Sequence, residues 1–203
     1  MRKYKKMIFA MIAAFLLVFA LAACGSSQED EAESTEAASA GTTDGNGLVV
    51  YFSWSGNTES VAQEIQSQTG ADIFRIEPAE AYTDDYDELL DVAQEEQSSD
   101  ARPEIADTID NFDDYEVIYL GYPNWWGDMP QIIYSFLDDY DLSGKTLIPF
   151  CTSGGSGFSG SLDTIADMEP DAVMLEGLHI GGSSADDAAG DVTQWLQEIG
   201  IAQ

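Results

Sequence analysis

The chain has 203 residues, of which 38 are Asp or Glu and seven are Lys or Arg, so its formal net charge at pH 7 is −31. Such an acidic chain repels nucleic acid and anionic lipid headgroups, which excludes both as partners. With only two cysteines and nearly half of its residues hydrophobic, the chain is expected to be stable through a core and not through disulfides.

The N-terminus has the pattern of a signal peptide, because Lys and Arg dominate the first six positions and an unbroken apolar run covers residues 7–23. The run ends in Leu21-Ala22-Ala23-Cys24, which resembles the lipobox of bacterial lipoproteins. The resemblance implies that residues 1–23 are removed and that Cys24 receives the lipid. The alternative is an uncleaved transmembrane anchor, but the run is slightly short for a span of about 20 residues. We therefore expect a lipid-anchored protein outside the bacterial cell membrane, in contact with the membrane through its anchor only.

Residues 24–47 contain no aromatic and no large aliphatic side chain. Such a segment cannot bury enough apolar surface to offset its ordering entropy, so it is interpreted as a flexible acidic linker. Four of the seven cations lie in the leader, and its removal changes the formal charge from −31 to −35. Residues 48–203 remain, enough for one ordinary domain.

Strands and helices alternate along that domain. The strands are predicted at 48–52, 73–76, 116–122, 146–151 and 172–178. The helices are predicted at 58–68, 82–96, 131–137 and 185–199, with a further short helix that ends at about residue 168. Nearly all-apolar strands that alternate with helices indicate an α/β fold with a parallel sheet and helices on both faces. Ligands of such sheets bind outside the carboxyl ends of the strands, where the strand order reverses. The loops after strands one, three and four are therefore the candidate site.

The loop after the first strand leads directly into a helix and reads Ser53-Trp54-Ser55-Gly56-Asn57-Thr58. Backbone N–H groups at a helix N-terminus, with three hydroxyls beside them, form an anion site without a cation. Gly56 lets the backbone approach closely. A helix cap alone needs only one Ser or Thr, so this loop predicts a bound phosphate.

The same loop resembles the first loop of the flavodoxin family, which has the pattern Thr/Ser-x-Thr/Ser-Gly-Asn-Thr between a strand and a helix. The resemblance implies a doubly wound, five-stranded parallel sheet in the order 2-1-3-4-5. It also implies that the domain binds FMN non-covalently, with the FMN phosphate on this loop. The loop lacks the Gly-Lys-Ser/Thr of nucleotide-binding phosphate loops.

The loop after the third strand contains two adjacent tryptophans and reads Pro123-Asn124-Trp125-Trp126-Gly127-Asp128. Indole rings need space and their N–H groups need partners, so a flat aromatic ligand explains the pair better than a core does. Trp126-Gly127-Asp128 is similar to the Trp-Gly-Asp of short-chain flavodoxins, where this loop presents an aromatic ring to the flavin. The resemblance further implies that the Gly127 peptide turns over when the flavin takes its first electron. Either tryptophan fits the position on the flavin.

The loop after the fourth strand is made of small residues and reads Thr152-Ser153-Gly154-Gly155-Ser156-Gly157. Its amides are expected to face the carbonyl edge of the flavin. Well-known flavodoxins often place a tyrosine on the other flavin face; here Phe158 replaces it or begins the next helix. Cys151 is expected to be a buried apolar residue and His179 a structural one, and no metal site or catalytic nucleophile is predicted.

These features together predict an FMN-binding electron-transfer protein that acts on a redox partner protein or a small quinone-like acceptor. An FMN-dependent quinone or NAD(P)H oxidoreductase is the alternative, although a nicotinamide phosphate usually needs Arg or Lys, and only three remain after the leader. A second alternative is a lipoprotein that binds flavin or another aromatic ligand without redox chemistry.

Overall fold

A parallel sheet forms the centre of the domain. Its strands are β1 (Gly47–Tyr51), β2 (Asp72–Arg75), β3 (Val117–Pro123), β4 (Thr146–Ser153), β5 (Val173–Met174) and β6 (Leu178–Gly181). The helices are α1 (Asn57–Thr69), α2 (Tyr86–Ser99), α3 (Gln131–Asp139), α4 (Ser161–Met168) and α5 (Ala189–Glu198). The computed structural model describes residues 46–201, so the expected leader, Cys24 and nearly all of the acidic linker lie outside the described residues.

The strand order is β2-β1-β3-β4-β5, and β6 also pairs with β4. All of these pairs are parallel, which confirms the predicted order and fold class.

The last predicted strand, 172–178, was wrong as a single element. It contains β5 and only the first residue of β6, and these two short strands pair in succession along β4. Pro149 of β4 has no N–H to donate to the ladder. A Cβ on Gly177 would lie 2.9 Å from the Pro149 carbonyl oxygen, so the two residues face each other where pairing stops. The missing donor therefore explains the break.

The core has two layers, one on each face of the sheet. Successive side chains of a strand point to opposite faces, so Leu48 and Val50 of β1 pack with α3 and α4, while Val49 and Tyr51 pack with α1 and α5. The predicted helices on both faces are thus confirmed.

Two helices begin later than their apolar patterns predict. Helix α2 begins at Tyr86 because the Asp85 carboxylate caps it, accepting from the N–H groups of Asp87 and Glu88 at 2.9 and 3.1 Å. Helix α5 begins at Ala189, after a turn of 3-10 helix over Gly182–Asp187. Within residues 46–201, no helix is long and apolar enough to cross a bilayer.

Candidate functional site

Three loops meet at the carboxyl ends of β1, β3 and β4; we call them loop one (53–58), loop two (123–130) and loop three (152–160). Loops one and three are joined by the hydroxyls of Thr58 and Thr152, whose oxygens lie 2.9 Å apart. Loops two and three are joined by Asn124, whose side-chain amide donates to the Gly157 carbonyl at 3.0 Å. The predicted loops therefore form one continuous surface.

Loop one presents unused N–H groups at the start of α1. Gly56, in the left-handed conformation at φ 90°, precedes the helix and makes no side-chain cap hydrogen bond. Within the described part of the chain, the N–H groups of Asn57, Thr58 and Glu59 donate to no other residue. A 13-residue helix thus directs its positive end at loop one with free donors.

The buried hydroxyl of Ser53 adds an independent observation. Its side chain lies at the end of β1 with only 3% of the residue exposed, and its oxygen finds no hydrogen-bond partner among residues 46–201. An unsatisfied buried hydroxyl costs about 1 to 3 kcal/mol, so it implies a partner outside the protein's own atoms. A hydroxyl and several N–H groups suit an oxyanion such as a phosphate.

Arg75 of β2 stabilises loop one by a hydrogen bond to its main chain, a role that was not predicted from the sequence. One guanidinium nitrogen donates to the Ser53 carbonyl at 3.2 Å, while the others pair with Glu59 at 3.0 Å and Glu77 at 2.6 Å. Because two carboxylates already neutralise this cation, the anion site depends mainly on neutral donors.

The other two described cations are engaged elsewhere. Arg102 pairs with Asp100 and Asp138, and Lys145 donates to the main-chain carbonyls of Phe112, Asp113 and Tyr115.

The two tryptophans of loop two lie in different surroundings. Trp125 packs edge-on against Phe52 and Tyr82, with each pair of ring centres 5.5 Å apart. Trp126 is 52% exposed, and its indole N–H donates to the Leu90 carbonyl of α2 at 3.2 Å. Trp125 is therefore half-buried against the core, and Trp126 is the more exposed of the two tryptophans.

Both carboxylate oxygens of Asp128 accept hydrogen bonds. One accepts from the N–H of Met129 at 2.8 Å, and the other accepts from the hydroxyl of Tyr134 at 2.7 Å. Burial, and then the bond to Asp128, raise the pKa of Tyr134, so this hydroxyl stays protonated and remains a donor. The Arg102 guanidinium lies 4.9 Å above the Tyr134 ring. Asp128 thus fixes the end of loop two.

Loop three is folded on the side chain of Ser153. The Ser153 hydroxyl oxygen accepts from the N–H groups of Gly155 at 3.1 Å and Gly157 at 3.0 Å. These two amides therefore point into the loop. The N–H groups of Gly154 and Ser156 donate to no other described residue, which leaves them for a ligand.

Two residues beside loop three pack inward. Phe158, which was expected either on the flavin or at the start of a helix, packs edge-on against Tyr122 with ring centres 6.4 Å apart and lies just before α4. Cys151 is 1% exposed, and burial raises the pKa of its thiol to about 12, which confirms that it is a buried apolar residue. Over the described range, no group of three or more His, Cys, Asp or Glu side chains could hold a metal.

Trp54 of loop one is directed to the segment before α2. Its indole N–H donates to the Thr83 carbonyl at 2.9 Å, and its ring centre lies 6.1 Å from that of Tyr86. An apolar cavity of about 380 Å³ opens between α2 and loop two. Its lining comprises Tyr86, Leu89, Leu90, Ala93, Asn124, Trp125 and Trp126. The aromatic side chains of loops one and two thus reach α2.

A comparison of this chain with known protein families finds one family that matches nearly all of the described residues. The model of the family described as Flavodoxin matches residues 46–199. The crystal structure of a putative flavoprotein from Bacteroides eggerthii is 33% identical, with a TM-score of 0.67, over 76% of this chain and 97% of that one. A putative flavoprotein from Bacteroides uniformis is 31% identical, with a TM-score of 0.68, over 75% of this chain and 98% of that one.

A more distant neighbour is a flavoprotein from Lactobacillus acidophilus, whose crystal structure is a complex with FMN. It is 24% identical, with a TM-score of 0.59, over 72% of this chain and 99% of that one, and this likeness shows the fold. A comparison with curated proteins finds no match.

Proposed function

Because the chain belongs to the flavodoxin family, we propose that it binds FMN non-covalently and transfers electrons. The observation that carries this proposal is the anion site of loop one, where the buried Ser53 hydroxyl and the free N–H groups of α1 lack partners among residues 46–201. The family and the FMN complex of the Lactobacillus acidophilus neighbour support the choice of cofactor. FMN supplies the redox chemistry when bound, and the chain binds and orients it.

Loop one holds the phosphate in this proposal. The Ser53 hydroxyl donates to one phosphate oxygen, and the N–H groups of Asn57, Thr58 and Glu59 donate to the others. Thr152 supplies the proton between the two threonine oxygens, which lie 2.9 Å apart, so that the Thr58 hydroxyl remains a donor to the ligand. Such charge-assisted bonds are about twice as strong as neutral ones.

Loops two and three hold the flavin ring. Trp126 is the more exposed of the two tryptophans, and the N–H groups of Gly154 and Ser156 are the free donors for the carbonyl edge of the ring. Asn124 holds the two loops together. This assignment chooses Trp126 over Trp125 as the aromatic neighbour of the flavin.

An electron carrier fits the charges better than a nicotinamide-dependent reductase does. All three cations in residues 46–201 are engaged by carboxylates or main-chain carbonyls, which leaves none for a nicotinamide phosphate. We therefore propose that electrons pass between FMN and a redox partner protein or a small quinone-like acceptor.

The location is proposed from the leader. The lipobox-like Leu21-Ala22-Ala23-Cys24 supports a lipid anchor on Cys24 and a position outside the cell membrane. Incorporation of labelled palmitate into the full chain in bacteria, lost in Cys24→Ser, is the expected result. Labelling that persists in Cys24→Ser contradicts the anchor.

The cofactor assignment is tested by comparing FMN with riboflavin, which has the same ring but no phosphate. Apoprotein should bind FMN at least 100-fold more tightly, since several charge-assisted hydrogen bonds of about 1.5 to 3 kcal/mol each are lost with the phosphate. Ser53→Ala should weaken FMN about tenfold and leave riboflavin unchanged. Ser67→Ala, an exposed serine change on α1, is the matched control.

Equal affinities for FMN and riboflavin would contradict the phosphate site. Reversible bleaching of the yellow colour by dithionite and air supports redox chemistry, whereas a bound flavin that cannot be reduced supports the non-redox alternative.

A further inference from the structure

A single serine hydroxyl holds loop three in shape. Ser153 is 8% exposed, and its oxygen accepts from the N–H groups of Gly155 and Gly157 at 3.1 and 3.0 Å. A serine oxygen has two lone pairs and one proton. The two glycine amides therefore occupy both of its acceptor positions, and only its proton remains.

The third neighbour of the Ser153 oxygen is the imidazole of His179, whose Nε2 lies 2.8 Å away. The sheet register brings the two together: Cys151 of β4 pairs with His179 of β6, and Ser153 lies two residues further along β4 on the same face as Cys151. Because both lone pairs of the serine oxygen are in use, Ser153 must donate its proton to Nε2. A neutral imidazole that accepts at Nε2 carries its own proton on Nδ1.

Packing does not hold the glycine-rich part of this loop, residues 154–157. A Cβ placed on Gly154, Gly155 or Gly157 would meet no atom within 4 Å, so no neighbouring side chain presses on the loop there. Gly155 and Gly157 have φ values of 127° and 62°, which free glycine adopts as one of many conformations. The conformation is thus selected by hydrogen bonds, from Ser153 at one end and from Asn124 to the Gly157 carbonyl at the other.

We propose that His179 is a positioning residue for the flavin ring, acting through Ser153. Its neutral imidazole accepts the Ser153 proton, which keeps both serine lone pairs on Gly155 and Gly157. Those two amides then point inward, and the N–H groups of Gly154 and Ser156 stay free for the ligand. The ligand part of this inference rests on the proposed function, whereas the hydrogen-bond relay is a property of the protein without FMN.

The first test reads the relay directly and needs no FMN. His179 is the only histidine of the chain, so ¹⁵N NMR of histidine-labelled apoprotein reports this ring without assignment. At pH 8 the expected result is a protonated Nδ1 and an unprotonated Nε2. Free histidine prefers the opposite tautomer, so a protonated Nε2 would overturn the proposal even if FMN binds as expected.

The second test uses a conservative rescue. In His179→Gln the side-chain oxygen can accept in place of Nε2, whereas His179→Phe keeps a flat ring without an acceptor. Riboflavin, which engages the ring part of the site only, should bind about tenfold more weakly to the Phe variant and within about threefold of the parent to the Gln variant. Equal losses in both variants would overturn the relay.

A double-mutant cycle separates the relay from simple packing. Ser153→Ala should weaken riboflavin at least as much as His179→Phe does, because it removes the bonds from Gly155 and Gly157 as well as the bond to His179. The double variant should lose little more than Ser153→Ala alone, because His179 acts only through the serine hydroxyl. Additive losses would contradict the coupling. If the parent protein binds no flavin at all, the proposed function fails, and the NMR tautomer still decides whether the relay exists.

Discussion

At the tip of loop two, two consecutive residues have positive φ: Trp126 at 53° and Gly127 at 83°. The main chains of Trp125 and Asp128 close this turn with hydrogen bonds of 2.8 and 3.0 Å, as in a two-residue hairpin. A bulky residue in this conformation is uncommon, so Trp126 carries backbone strain at the edge of the proposed site.

Gly127→Val tests whether this turn responds to reduction. A Cβ at Gly127 meets nothing within 4 Å, so the cost of substitution is conformational, about 1 to 2 kcal/mol. The resemblance to short-chain flavodoxins implies a turnover of the Gly127 peptide, which would break the bond from the Gly160 N–H to the Gly127 carbonyl at 3.3 Å. We expect the potential of the first one-electron step to fall in Gly127→Val while FMN affinity is largely kept, as measured by a reductive titration.

Gly127→Asn is the matched control, because asparagine tolerates positive φ and should shift the potential less. A first-electron potential that is unchanged in the Val variant contradicts the hinge.

Gly121 of β3 lies under a buried aromatic ring. A Cβ there would fall 2.0 Å from the Phe150 ring, which is fully buried on the adjacent strand. Gly121→Ala should therefore lower the free energy of unfolding by about 3 kcal/mol, the upper range for overpacking. Gly190→Ala in α5, where a Cβ meets nothing, should raise it by about 0.5 to 1 kcal/mol. Urea denaturation checks both, and equal effects would contradict the close contact.

On the scale of secondary-structure elements, helix α2 contains a half-buried carboxylate, that of Glu96. Burial raises the pKa of Glu96, although the Tyr82 hydroxyl donates to it at 2.9 Å. A raised pKa means that the folded state holds the proton more tightly than the unfolded state, so charged Glu96 costs stability above its folded pKa. That cost disappears as the pH falls below the unfolded pKa.

Glu96→Gln should therefore stabilise the domain near pH 7, because the amide oxygen still accepts from Tyr82 and no charge is buried. The gain should fade as the pH is lowered towards 4, as followed by urea denaturation across pH. Glu95→Gln, an exposed neighbour on the same helix, controls for the general relief of negative charge. A gain equal to that of the control at every pH would contradict the role of burial.

The elements that could be predicted are those with a local signal. Apolar runs such as 48–52 mark buried strands, and a loop rich in Ser, Gly and Asn marks the anion site within six adjacent residues. The break between β5 and β6 could not be predicted, because it depends on Pro149 of a neighbouring strand.

The missed roles of Arg75 and His179 have the same physical origin. Arg75 of β2 contacts the Ser53 carbonyl just after the neighbouring strand β1, and His179 of β6 contacts the Ser153 hydroxyl of the neighbouring strand β4. Both roles therefore depend on strand register. The late start of α2 did have a local signal, since Asp85 is a favourable cap residue.

On the scale of the whole molecule, negative charge dominates. With 38 acidic residues against seven basic ones, the field at the proposed flavin site disfavours added negative charge. One charge at about 10 Å contributes roughly 0.4 kcal/mol in water and less after screening by salt. A handful of such charges therefore contribute about 1 kcal/mol, or roughly 40 mV for one electron.

The midpoint potential of bound FMN should therefore rise by up to about 40 mV as NaCl increases from about 0.01 to 1 M, since the Debye length falls from about 30 to 3 Å. Spectroelectrochemistry at each salt concentration measures this, with sucrose as an uncharged control. A potential that does not rise with salt would remove the electrostatic explanation.

The two edges of the sheet are short. Strand β2 has four residues, and the opposite edge is divided into β5, with two residues, and β6, with four. Long, flat edges recruit strands from other chains and start aggregation, whereas short and interrupted edges present too few adjacent N–H and C=O groups to template a new ladder. The two sheet edges are therefore poor nuclei for fibrils of this protein, and the repulsion between its negatively charged copies acts in the same direction.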